Sequence, residues 1–124
     1  LPLTFEQAHE YLLSQPGAIE DRPFGSEVPV YKIGGKMFAY ASPNNVPPSI
    51  TIKLDPLLGQ MLRSTYEAVK PGYHMNKEHW NTIALDGSIL EDELLSWIDE
   101  AYMLVRSKLP KRIREQLQGS SPKS

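Results

Sequence analysis

The sequence contains no cysteine. That absence excludes disulfide bridges, a thiol nucleophile, thiolate zinc sites and iron–sulfur ligation, and it leaves histidine and the carboxylates as the strong metal ligands. Long apolar runs are missing too. No uninterrupted stretch approaches the roughly 20 residues that a membrane-spanning helix requires, and the N-terminal residues lack the pattern of a signal peptide. A soluble cytoplasmic protein is therefore expected, with no membrane contact. The common catalytic fingerprints are also lacking: there is no G-x-S-x-G elbow, no G-x-G-x-x-G loop and no P-loop. His74 and His79 are five apart, whereas a helical zinc pair is four apart, and Pro71-Gly72 argues against a helix there. The expectation is a protein with no catalytic residues, no metal and no cofactor.

What is present is a chain of 124 residues, 40% hydrophobic and 23% charged. A chain of this size buries roughly two thirds of the surface its unfolded form exposes, enough for one core without staples. One domain over 1–119 is expected, followed by a disordered tail at 120–124. The net charge of −2 hides an uneven distribution. Residues 1–29 hold one basic and five acidic side chains, and 30–80 hold six and three. Residues 81–104 hold six acidic and no basic side chains, whereas 105–124 hold six basic and one acidic. Local positive potential is what a polyanion senses, because charges beyond about a Debye length are screened.

Local patterns outline the elements. Thr4 and Gln7 have capping-box spacing, and Phe5, Ala8, Leu12 and Leu13 form one apolar stripe, so a first helix is expected over 4–15. Two runs of strand formers, 28–33 and 36–41, flank Gly34-Gly35, which reads as a two-residue hairpin turn. Strict alternation through that turn places Tyr31, Ile33, Lys36, Phe38 and Tyr40 on one face and Val28, Val30, Lys32, Met37, Ala39 and Ala41 on the other. Ser49 to Leu54 alternates as a half-buried strand, with Ile50, Ile52 and Leu54 inward. Asp55-Pro56 supplies an N-cap and a first-turn proline for a second helix over 56–69, on which Arg63 and Lys70 share a face. A strand over 79–85 follows, then a third helix starting between 89 and 92 and a short basic helix from Pro110 to Gly119. These runs indicate an α+β domain of two layers, an antiparallel sheet packed by helices.

The densest polar constellation is Tyr73 to Asn81, which mixes His74, Lys77 and His79 with Tyr73, Trp80, Asn76 and Asn81. Cations contact phosphates, amides read base edges and aromatic rings stack. Trp80 is equally explicable as core at the start of a strand. Lys108, Lys111, Arg112 and Arg114 form a denser basic cluster, of a kind that often only solubilises a chain end.

With these residues in hand, the chain resembles the MmcQ/YjbR family of small bacterial proteins. The resemblance spans about 4–117 and rests on Pro16-Gly17, Pro23-Phe24-Gly25, Tyr31-Lys32, Gly34 to Ala39, Lys53 with Asp55-Pro56, Leu62-Arg63, PGYHMNKEHWNT at 71–82 and LDGS at 85–88. Leu57-Leu58 and Ala101 depart from the family pattern. The resemblance implies a fold like that of the bacterial frataxin homologue, in a double-wing arrangement proposed to bind DNA. Gly34-Gly35 and the 71–79 loop would be the wing tips. On this reading the chain is a monomeric DNA-binding protein that contacts the phosphates of double-stranded DNA through Lys32, Lys36, Lys53, Arg63, His74, Lys77 and His79. Two other readings are a protein-interaction adaptor using an exposed aromatic face of Tyr31, Phe38 and Tyr40, and a small-anion or metabolite pocket lined by the His74–His79 loop.

Overall fold

A computed structural model describes residues 3–23, 25, 27–72, 76 and 78–119. Phe24, Ser26, Tyr73, His74, Met75, Lys77 and the expected tail at 120–124 lie outside the described residues. The element order is α1 (Phe5–Ser14), β1 (Ile19–Asp21), β2 (Val30–Ile33), β3 (Lys36–Ser42), β4 (Ser49–Lys53), α2 (Pro56–Thr65), β5 (Val69–Pro71), β6 (Trp80–Ala84), α3 (Glu91–Ser107) and α4 (Lys111–Gly119). The strands form one antiparallel sheet in the order β1-β2-β3-β4-β6-β5. With helices on one sheet, this is the α+β architecture that the sequence pattern indicates.

Local chemistry starts and stops these elements. The Thr4 hydroxyl accepts from the Gln7 amide at 3.1 Å while the Gln7 side chain accepts from the Thr4 amide at 3.0 Å, so the capping box is closed at both ends. Asp55 accepts from the Leu57 amide at 3.1 Å, and Pro56 occupies the first turn, where its missing N–H costs nothing. Helix α3 has no side-chain cap, but Glu91, Asp92 and Glu93 occupy its first turn, where the helix dipole favours negative charge. At its other end Arg114 Nη1 donates to the Leu109 carbonyl at 2.6 Å and so supplies a partner beyond the last turn of α3.

The core lies between the sheet and α1 and α3. Ile50, Ile52 and Leu54 are fully buried in one cluster with Leu12, Trp97, Ile98 and Tyr102, as their alternation predicts. The strand is not half-buried, however: Thr51, expected outward, is 1% exposed and its hydroxyl lies 2.9 Å from that of Thr82. The hairpin differs from strict alternation. Ile33 faces Lys36 and Lys32 faces Met37 as expected, but Tyr31 faces Ala39, with a bulge between Tyr31 and Lys32. The extra residue opposite that step is Phe38. The bulge turns Phe38, Ala39 and Ala41 all into the core, and it leaves Tyr40 on the other face. An exposed aromatic face is thereby lost, because Tyr31 and Phe38 are both 0% exposed.

The second helix ends at Thr65, four residues before the expected end. Ser64 and Thr65 turn their hydroxyls back onto the Gln60 and Met61 carbonyls, and Tyr66 is already extended, with φ −120°. Val69 to Pro71 then pair with β6 as an edge strand. Arg63 on α2 and Lys70 on β5 therefore do not share a helix face.

Candidate nucleic-acid interface

The antiparallel order brings the end of β2, the start of β3, the end of β4, the end of β5 and the start of β6 to one end of the sheet. The C-terminus of α3 reaches the same end. A Cβ on Gly34 would lie 2.7 Å from Leu109 Cδ1 and 3.2 Å from Ile113 Cγ2, so α4 sits directly beneath the hairpin turn. Lys36, Lys53, Lys108, Lys111 and Arg112 thus collect at one pole. The opposite pole carries the acidic first turn of α3 and Asp86. There the Tyr66 hydroxyl donates to Glu93 at 2.6 Å, which holds the phenol above its usual range. Basic side chains therefore concentrate at one end of the strand axis, interspersed with Asp55, Glu78 and Glu115, the last 4.0 Å from Lys111.

Within the basic pole the expected residues differ in what they can offer. Lys36 is exposed where the hairpin turn meets β3. Gly34 and Gly35 have φ of 57° and 81°, the two positive values that this type of hairpin turn needs. Lys53 ends β4 opposite Trp80, partly exposed, and has no ion pair among the described residues. Lys32 is partly offset already: its Nζ lies 2.9 Å from Asp21 Oδ2, and that hydrogen bond holds the Asp21 carboxyl below its usual range. Arg63 is half-buried, and its Nη1 donates to the Asn81 Oδ1. His79 is half-exposed, with its carbonyl accepting from the Leu54 amide at 2.7 Å. Arg114, in the basic cluster of the last helix, is spent on the α3 carbonyls. His74 and Lys77 lie outside the described residues.

Two features were not marked as site residues by sequence pattern. Asn81 is fully buried, and it ties α2 to the sheet through Arg63 and ties back to the His79 carbonyl at 3.2 Å. Lys111 and Arg112 join the hairpin wing only because α4 folds under Gly34. The sequence sets Asn81 in the polar constellation and Lys111 and Arg112 in a basic cluster, but the tie to Arg63 and the place beneath the hairpin come from the fold.

Gly34 makes the juxtaposition testable. Gly34→Ala should cost about 1–2 kcal/mol, because left-handed backbone adds to a contact with Leu109 that must shift. Gly35→Ala carries the backbone strain alone, since nothing lies within 4 Å of its Cβ position. Urea unfolding of both variants should rank Gly34→Ala as the more damaging; equal losses would mean that α4 does not press on the turn.

Other groups stand apart from this pole. Tyr31 Oη lies 2.6 Å from His9 Nδ1, and Glu20 lies between His9 and Arg22 at 3.7 and 2.5 Å. Burial holds the Tyr31 phenol above its usual range. An open, mainly apolar cleft lies between the start of α1 and the β3–β4 loop, lined by Leu3, Phe5, Pro43, Pro48 and Leu85, toward the acidic pole. Among the described residues no cluster of three metal-ligating side chains occurs, and no helix is long and apolar enough to cross a membrane.

A family model described as YjbR matches residues 13–104. The uncharacterized protein YbdF of Escherichia coli O157:H7 is 39% identical over 95 residues, covering 77% of this chain and 78% of YbdF. The uncharacterized protein YjbR of Escherichia coli K12 is 28% identical over 115 residues, covering 93% of this chain and 98% of its own. Among solved structures, the Deinococcus radiodurans protein DR2400 superposes with a TM-score of 0.87 at 31% identity, covering 94% of this chain and 88% of that one. A Pseudomonas syringae protein superposes at 0.69 with 26% identity, covering 82% and 97%.

Proposed function

Because the chain belongs to the YjbR family, we propose that it is a non-enzymatic, monomeric, cytoplasmic DNA-binding protein that holds the phosphate backbone at its basic pole. The concentration of lysine and arginine at one end of the strand axis carries this reading. The Gly34–Gly35 hairpin forms one wing, β5 and β6 lead into the loop of the second, and α4 extends the positive surface beneath the first. Lys36 and Lys53 are the main phosphate contacts, joined by Lys111 and Arg112. Arg63 and His79 stand at the same end of the sheet, and His74 and Lys77 belong by sequence to the second wing. Lys32 contributes least, because Asp21 already neutralises it. Contacts of this kind position a protein on duplex DNA without reading its sequence.

Lys36→Ala combined with Lys53→Ala tests the footprint. Each phosphate contact adds about 0.9 to the slope of log K against log salt, so the double variant should flatten the slope by about 2. Affinity should fall by a similar factor on every duplex sequence. Fluorescence anisotropy with two unrelated labelled duplexes reads both quantities; an unchanged affinity and slope would remove these lysines from the interface.

A further inference from the structure

We infer that Arg63, Asn81 and His79 form a seat for a single phosphate group. This goes beyond the reading above, since it needs no nucleic acid and rests on half-buried groups instead of exposed lysines. Arg63 is a half-buried residue, yet it has no carboxylate partner among the described residues. Charges withdrawn from water are ordinarily paired, so this one has a vacancy for an anion. Its donation to Asn81 uses one N–H, and the remaining donors keep the planar fork that fits phosphate oxygens two at a time.

Asn81 orients that fork. Its amide is fully buried and is held from both sides, the nitrogen donating to the His79 carbonyl at 3.2 Å and the oxygen accepting from Arg63. Gly59 makes room. A Cβ there would lie 3.0 Å from Arg63 Nη1 and from both Asn81 amide atoms, a tight contact that would press the guanidinium and the amide away from the helix.

His79 supplies the second observation. It lies two residues before Asn81, and its backbone is anchored on Leu54. Its Nδ1 is buried and has no hydrogen-bond partner among the described residues. Such an atom is costly to leave unmatched. An oxyanion on the guanidinium would supply the acceptor that Arg63 lacks, and with a proton on Nδ1 the imidazole, two residues before Asn81 on the same strand face, would donate to the same anion. The group could be carried by a small phosphomonoester or by a nucleic-acid backbone, and the chemistry at the seat is the same.

Titration of isotope-labelled protein, in phosphate-free buffer, with inorganic phosphate, adenosine monophosphate and adenosine tests the seat by NMR. Phosphate and the monophosphate should give saturable shifts of the Asn81 side-chain amide and of the Gly59 and His79 amides, and adenosine should give none. Arg63→Gln should weaken both ligands about tenfold or more, and Arg63→Lys should recover part of the loss because it restores the charge without the fork. If Arg63→Gln fails to fold, the wild-type map and Arg63→Lys still decide. Displacement of the bound monophosphate by a short duplex would assign the seat to the nucleic-acid backbone, and joint binding would assign it to a small phosphomonoester. The proposal is overturned if no saturable shift occurs, or if shifts fall only on Lys108, Lys111 and Arg112, whatever the duplex does.

Discussion

Phe38→Ala should destabilise the protein by about 3–5 kcal/mol, the range for emptying a buried phenylalanine site. Phe38 is 0% exposed and meets the Tyr102 ring edge-on at a centroid distance of 5.7 Å. It is also the residue that the bulge adds to β3, and its ring is held in the core between the sheet and α3. Against a typical total stability of about 5–15 kcal/mol, a loss of this size is a large fraction of the fold. Urea unfolding followed by circular dichroism measures it directly. A loss below about 1 kcal/mol would place the Phe38 ring on the surface and restore strict alternation through the hairpin.

Asn81→Ala should cost about 2–3 kcal/mol, the upper range for a hydrogen bond to a charged group. The substitution leaves the Arg63 guanidinium without its acceptor, whereas the His79 carbonyl loses one donor and keeps the Leu54 amide. Asn81→Asp separates these effects, because it keeps an acceptor for Arg63 while turning a carboxylate oxygen toward the His79 carbonyl. Unfolding midpoints should rank the wild type above the Asp variant and the Asp variant above the Ala variant. If Asn81→Ala is neutral, the tie between α2 and β6 contributes nothing and Arg63 is oriented by something else.

The elements that sequence pattern located well are those whose causes are local. Thr4 with Gln7, Asp55 with Pro56, Gly34 with Gly35 and the alternation of Ile50, Ile52 and Leu54 each act within a few residues, so composition and spacing expose them. Elements that depend on a distant partner escaped it. Strands β1 and β5 are three residues each, too short to show a period of two, and exist because β2 and β6 offer them an edge. The early end of α2 has the same origin, since Val69 gains more from pairing with Ile83 than from another helical turn.

The site divides along the same line. Lys36 and Lys53 are placed by the hairpin and by strand alternation, so their exposure follows from pattern alone. Lys32 needed β1 to reveal its neutralising partner, because Asp21 lies eleven residues earlier. Arg63 was paired with a helical neighbour when its true partner, Asn81, lies eighteen residues away across the sheet. Charge counting along the chain showed alternating acidic and basic segments. Only the topology, which runs α3 from the acidic pole to the basic one and folds α4 back under Gly34, converts those segments into two poles.

The salt dependence of duplex binding by the unmodified chain distinguishes a pole that holds phosphates from one that does not. Four phosphate contacts from the basic pole predict a slope of about −3.6 for log K against log salt, and a weakening of roughly a hundredfold between about 50 and 200 mM salt. Saturable anisotropy with that steepness, the same on unrelated duplex sequences, is the expected result. No binding at about 50 mM salt, or binding that salt leaves unchanged, would contradict a protein built to hold phosphates at its basic pole.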